Sequence, residues 1–296
     1  MGLYDDITNR IVQELDNGTV PWRKPWTNGR RCLTCAPVNG VTNRPYRGIN
    51  RLVLGMSEFS DNRWMTFRQV KEVGGSVKRG SKGMPVVYWR FPDDVRKDED
   101  EEQENSPSHE HPVAIRYIVF NAEQCYRLLV SDGGKLPDLK PAAVSVTDDA
   151  GALEAVRRLL ETMPDAPEVK LADQAAYCPR RDIVYMPNQR SFDGGAAWAS
   201  TLAHELCHST GHQRRLNRLA VTGTVMFGSN DYSEEELVAE LGACFICAEL
   251  GIRNDIANSA SYIDCWRQRI SKDHSLIIRT ASHAQRAADY ILNRPQ

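Results

Sequence analysis

His204-Glu205-Leu206-Cys207-His208 sets two imidazoles four residues apart, with a carboxylate beside the first. On an α-helix, positions i and i+4 lie one above the other, so both rings reach a single metal ion. The flanking apolar residues Trp198, Leu202 and Leu206 keep helical spacing. A divalent ion held there lowers the pKa of a coordinated water towards about 7. Glu205, one position along, lies beside the open coordination position and can take that water's proton. The resulting chemistry is attack on a carbonyl, as in peptide hydrolysis. Zinc suits this donor set, and another divalent ion could replace it.

A catalytic zinc takes three protein ligands and keeps one position open. The third ligand must come from elsewhere. Glu235-Glu236-Leu237-Val238-Ala239-Glu240 lies in an amphipathic helical pattern downstream. Glu236 and Glu240 share a face, so one can ligate while the other supports a ligand histidine through its second nitrogen. Glu236 is the best candidate. His212 continues the i+4 series, but Gly211 is expected to end the helix first. Asp231 or Glu235 would serve if the register shifted by a turn. Glu234 and Glu235 also have a bland reading, as acids opposing the dipole at a helix N-terminus.

This layout resembles the glutamate-zincins, H-E-x-x-H followed by E-x-x-A-D/E, and lacks the longer metzincin spacing. The resemblance implies Glu236 as ligand and Glu240 as the acid behind a ligand histidine. Zincins bind peptide along an edge strand above the active helix. Asp182 to Met186, expected to pair with Ala175 to Cys178 in a hairpin, is placed to serve as that edge. Tyr177, Tyr185, Tyr232 and His283 are candidate oxyanion donors.

The elements that must position these groups follow from periodicity. Leu3, Ile7, Ile11, Val12 and Leu15 predict a first helix stopped by Asn17-Gly18. A short helix from Arg68 to Val73 is capped by Thr66 and ended by Gly74-Gly75. Met84 to Phe91 and Ala114 to Phe120 read as strands. Later helices are expected near 149–162, 196–209 and 234–250, with two more segments between 259 and 292. A short strand is expected at Val169 to Ala172.

The 296 residues carry a net charge of -2, which excludes a uniformly basic nucleic-acid coat. The sum hides a partition. Residues 1–92 hold 15 Lys+Arg against 7 Asp+Glu, residues 93–110 hold 2 against 9, and the remainder 20 against 23. Four of the six Trp lie in the basic part, at 22, 26, 64 and 89, each but Trp26 and Trp64 followed by a cation. Rings interleaved with cations are what an unpaired strand needs, because bases offer π-faces and phosphates offer charge. Trp22, Arg23, Lys24, Arg44, Tyr46, Arg47, Asn50, Lys78, Arg79 and Lys82 are the candidate contacts to single-stranded DNA. Trp64 and one face of Tyr88-Trp89-Arg90-Phe91 are expected to be core. Gly75 to Lys82 departs from a P-loop, since Gly80 is followed by Ser81-Lys82.

Residues 93–112 are expected to form a solvated loop, and 132–147, with Gly133-Gly134, Pro137 and Pro141, an interdomain linker. No apolar run approaches the ~18 residues of a membrane span, and no signal peptide opens the chain. A cytoplasmic protein with free thiols is therefore expected. Cys244 and Cys247 fall in an apolar helical stretch and read as core. Cys32 and Cys35 could be one zinc knuckle without a partner knuckle.

Pro21-Trp22-Arg23-Lys24-Pro25-Trp26, Arg44 to Asn50, Trp64 to Phe67, Gly74 to Val77 and Val119-Phe120-Asn121 resemble the single-stranded-DNA-binding domain of ArdC-type antirestriction proteins, a domain shared with plasmid primases. Thr201 to His212 and Glu235 to Gly242 resemble the zincin-like metalloprotease domain of the same family. The resemblance implies an α+β chain of two domains, 1–131 and 148–296. It further implies a role in shielding incoming conjugative DNA from restriction and kinship with DNA-dependent proteases that cut proteins bound to DNA; a protein substrate such as a restriction-system subunit is expected.

Overall fold

A computed structural model describes residues 2–23, 36–90, 113–126, 146–218, 221, 230–254 and 260–295. The acidic stretch 93–112, nearly all of 132–147, and Lys24, Trp26, Cys32 and Cys35 lie outside the described residues.

The N-terminal lobe is a four-stranded sheet in the order β1-β2-β5-β4. Its strands are β1 (Val38–Asn39), β2 (Arg63–Thr66), β4 (Met84–Arg90) and β5 (Val113–Asn121). β1 runs parallel to β2, and the other pairs are antiparallel. A separate ribbon joins β3 (Ser76–Val77) to β6 (Cys125–Tyr126). Three helices cover the sheet: α1 (Leu3–Asp16), α2 (Gly48–Gly55) and α3 (Phe67–Glu72). Thr66 caps α3 with its hydroxyl accepting from the Gln69 N–H, while the Gln69 amide accepts from the Thr66 N–H. Helix α2 is not among the elements expected from the sequence. It begins at Gly48, whose φ is 54°, a value costly for any side chain. Ile49, Leu52, Val53 and Leu54 supply its buried face.

The C-terminal lobe is a mixed three-stranded sheet in the order β7-β9-β8, with β7 (Glu168–Leu171), β8 (Ala176–Cys178) and β9 (Ile183–Met186). The hairpin of β8 and β9 forms as the periodicity predicts. However, β9 pairs with β7 on one side and β8 on the other. The expectation that Asp182 to Met186 is a free edge is therefore corrected: its backbone groups are already committed, and β8 and β7 are the edges. On this sheet packs α5 (Gly195–Ser209), against β8 and β9; α4 (Asp149–Thr162) and α6 (Asn230–Leu250) pack on α5, α8 (Leu276–Ile291) packs on α6, and α7 (Ala260–Lys272) touches α6 and α8.

Helix α5 is central and buries Ala199, Leu202, Ala203, Leu206 and Cys207 almost completely. Its first turn receives Asp149 of α4, whose carboxylate accepts from the Ala196 N–H at 3.0 Å. Trp198 Nε1 donates to Pro187 O at 3.0 Å and pins the end of β9 to α5. One apolar cluster runs from Ile7 and Ile11 in α1 to Ile277 and Ile291 in α8. The two lobes thus share a core. Cys247 is buried within it, and Cys244 Sγ donates to Trp22 O at 2.8 Å.

Candidate metal centre and nucleic-acid surface

His204 and His208 leave the same face of α5 one turn apart, and their Nε2 atoms stand 3.1 Å from each other. Glu236, in the second turn of α6, closes a triangle. Its carboxylate lies 3.6 Å from His204 Nε2 and 3.5 Å from His208 Nε2. All three donor atoms fall within 4.8 Å of one another. Zinc–nitrogen bonds of about 2.0–2.1 Å in a tetrahedral shell need donors spaced at roughly this range. His204 Nδ1 is buried without a hydrogen-bond partner, 3.9 Å from Glu240 Oε2. Glu240 is fully buried. The donor set fits a divalent ion, with one ring nitrogen turned to each ligand position and the other to a supporting acid. The side chains of the three are 13–15% exposed, so the triangle is open on one side.

Glu235 has a definite place. Its Oε1 is 3.3 Å from His208 Nδ1, on the far side of the ring from Nε2. It is the sixth residue of α6, buried and turned to His208, so the reading of it as an acid opposing the dipole at the helix N-terminus is corrected. Arg218 holds it through Nε and Nη2, at 2.9 and 2.5 Å. The same guanidinium donates to Thr210 Oγ1 and to Cys207 O, at the C-terminal end of α5. Arg218 was not singled out from the sequence. A loop residue has no periodicity, and its only signal was the run of arginines after the motif. The partial burial of His208 opposes its charge. The hydrogen bond to Glu235 and the charges of Glu236, Glu205 and Glu235 outweigh this and raise its pKa to about 9. Glu205 itself is buried at 8% exposure.

The other sequence candidates fall elsewhere. His212 lies past the end of α5, 4.0 Å from Asp182 rather than in the triangle. The Tyr177 hydroxyl donates to Asp182 at 2.8 Å and accepts from Arg215, which ties it into a structural network. Burial and the Asp182 bond push its pKa up. The Tyr185 hydroxyl accepts from Arg181. The side chains of Asp231 and Tyr232 lie outside the described residues. Burial pushes the Cys207 thiol up, so it is an inert core group.

Among the candidate DNA contacts, Arg44, Arg47, Arg79 and Lys82 are exposed. Lys78 donates to Glu123 O at 2.7 Å and lies 5.5 Å over the ring of Tyr126. Tyr46 is half-buried, which raises its pKa. Arg23 ends a short turn beginning at Pro21. Two expectations are corrected. Trp22 is 2% exposed and packs on Trp266 at 5.9 Å, so no base can stack on it. Asn50 spends its amide on the backbone of Val87, donating to the carbonyl at 2.6 Å and accepting from the N–H at 2.7 Å. Trp64 is core, as expected, but Tyr88 and Trp89 are both exposed.

The family model for the N-terminal domain of anti-restriction factor ArdC matches residues 1–120, and that for a zincin-like metallopeptidase matches residues 155–283. The crystal structure of the antirestriction ArdC protein from plasmid R388 in its Mn(II)-bound form is 32% identical. It covers 99% of this chain and 98% of its own, with a TM-score of 0.74. The metal-free form is 31% identical over the whole of both chains, with a TM-score of 0.72. The chain belongs to the ArdC antirestriction family. A DNA primase TraC of Escherichia coli is 32% identical over 302 residues, which cover 98% of the chain but 27% of TraC. The chain therefore spans about a quarter of that relative's length. Family membership makes the molecule an α+β, two-domain protein, and no described helix is long and apolar enough to cross a membrane.

Proposed function

We propose that the chain is a plasmid antirestriction protein that binds single-stranded DNA and cuts protein at a zinc site. His204, His208 and Glu236 would hold the ion, with zinc, or another divalent ion, supplying Lewis acidity and an acidified water. Glu205 would take the proton of that water and pass it to the leaving amine. Glu235 and Glu240 would each fix one ligand ring through its Nδ1. The N-terminal lobe, residues 1–131, would present Arg44, Arg79, Lys82 and Lys78 to phosphates, and residues 148–296 would form the protease. The protein target would be one found on incoming DNA in the cytoplasm, such as a restriction subunit.

The observation that carries this reading is the open triangle of donors with a carboxylate behind each ring. A purely structural zinc site is closed by four protein ligands and is needed for folding. Both the metal-free and the Mn(II)-bound structure of the R388 protein match this chain's fold, with TM-scores of 0.72 and 0.74. That favours a catalytic ion over a folding one.

Glu205→Gln tests the proposal. It should retain metal and DNA but lose proteolysis by about 10²–10⁴-fold, the usual worth of a positioned general base. Undiminished cleavage would remove Glu205 from the chemistry. Antirestriction that survives Glu205→Gln yet fails when Lys78, Arg79 and Lys82 are neutralised would leave a DNA coat as the function.

A further inference from the structure

Between α8 and the N-terminal lobe lies a groove of about 550 Å³, within the size range of small-molecule and nucleotide sites. Both lobes line it. Tyr4 comes from α1, Arg47 from the start of α2 and Trp89 from β4, while Arg279, His283 and Arg286 come from α8. No Asp or Glu is in the lining. The acids that answer its arginines lie outside it: Asp289, 1% exposed, pairs with Arg47, and Glu234 and Asp273 pair with Arg279. Arg286 is exposed and makes no ion pair among the described residues. Arg47 is half exposed and commits one terminal nitrogen to Asp289, so N–H donors remain. Trp89 stays 39% exposed beside these cations, on the outer strand β4.

We infer that this groove seats one or two nucleotides of single-stranded DNA, with phosphate on Arg286 and Arg47 and a base on the ring of Trp89. The inference rests on the DNA reading above and locates its site. It moves part of that site onto α8, which the charge partition had left out. A duplex would not do, because its base faces are already stacked and cannot meet Trp89. Burial and the neighbouring Arg218 and Arg286 hold His283, which lines the groove, below its usual pKa. Helix α8 packs on α6, the helix that carries Glu236. A strand in the groove would therefore lie one helix away from the metal centre.

The test uses the full chain and a fluorescein-labelled oligo-dT strand, with anisotropy read at two salt concentrations. Arg286→Gln should weaken binding at low salt and reduce the log–log salt slope by about one, as loss of one phosphate contact does. Trp89→Ala should weaken binding by at least about fivefold, and Trp89→Phe should restore most of it, since base stacking needs only a ring. Lys170→Gln, on the remote strand β7, should change nothing. Equal melting temperatures verify that the exposed Arg286 and Trp89 changes leave the fold intact. Wild-type affinity and slope in both Arg286→Gln and Trp89→Ala would remove the groove while leaving the DNA reading in place. A wild-type chain that binds no oligonucleotide at either salt would sink that reading, and the groove with it. Free dTMP binding as tightly as the strand would overturn a strand seat in favour of a nucleotide pocket.

Discussion

His208 carries the first consequence at the scale of single residues. Without metal its pKa stands at about 9, above the ordinary 6.5. A ligand nitrogen must be unprotonated, so binding of the ion expels this proton at neutral pH. Apparent metal affinity should therefore rise about tenfold per pH unit from pH 6.5 to about 9, then level off. Titration calorimetry at pH 7.5 in buffers of different ionisation heat should count about one proton released, and zero would contradict the geometry. The same shift has a stability sign. A raised histidine pKa stabilises the folded state below the unfolded value and stops doing so as pH passes the folded value. The metal-free protein should thus lose thermal stability between pH 6.5 and 9, whereas the loaded protein should not.

Arg218 is the residue that holds Glu235 in place, and Glu235 in turn holds the His208 ring. Removing such a supporting partner typically costs 10–100-fold in metal affinity. Arg218→Ala also leaves a buried carboxylate without its cation, which is destabilising in itself. Arg218→Lys keeps the charge and separates the two effects. Competition with a chromophoric chelator should show affinity falling for both variants, by more for Ala. Unchanged affinity in a folded Arg218→Ala protein would mean that Glu235 alone orients the ring. The histidine pair and Glu205 were legible in the sequence because a helix imposes their geometry. Arg218 was not, because its role depends on a loop that folds back onto α6.

At the scale of elements, the site depends on how closely α5 and α6 approach. Gly242 makes that approach possible: a Cβ there would lie 2.6 Å from Cys207 Sγ, and 3.6 Å from the backbone of Ala284 in α8. Both neighbours are buried, so neither can swing away. Gly242→Ala should force α6 off α5 and spread Glu236 from the two histidines. Cys207→Ala should partly relieve it. The expected outcome is weaker metal binding together with a lower melting temperature in Gly242→Ala, and recovery of the first in the double variant. No loss of metal affinity would show that the triangle tolerates helix movement. Helix and hairpin boundaries followed from periods of 3.6 and 2 and match the structure closely in the C-terminal lobe. Strand order did not, because β7 precedes the hairpin in the chain yet pairs with its second strand. That crossover is a tertiary choice that local pattern does not encode, and it turned the expected edge strand into a central one.

Across the whole molecule, the charge partition suggested separable halves, but the packing joins them. Helix α1 lies on α7, with Thr8 Oγ1 donating to His274 O at 3.0 Å and His274 Nδ1 meeting Asp5 at 2.5 Å. Helix α2 lies on α8, where the Gly48 N–H donates to Gln285 at 3.1 Å. Arg51, buried at 7% exposure, reaches across to Glu249 at 2.9 Å and to the ring of Phe245 at 4.9 Å. Trp22 packs on Trp266. Composition could not reveal this, because Ile7, Ile11 and Trp22 look the same in a private core as in a shared one. Exposing several such side chains costs about 1.5–3 kcal/mol each, a large share of ordinary domain stability. A fragment of residues 1–131 should therefore lack a cooperative thermal transition and bind a hydrophobic dye, while the full chain melts in one step. Co-expression with residues 148–296 as a separate chain should restore the transition. A fragment that melts as sharply and as high as the intact protein would mean that the two lobes fold independently and that their shared core is dispensable.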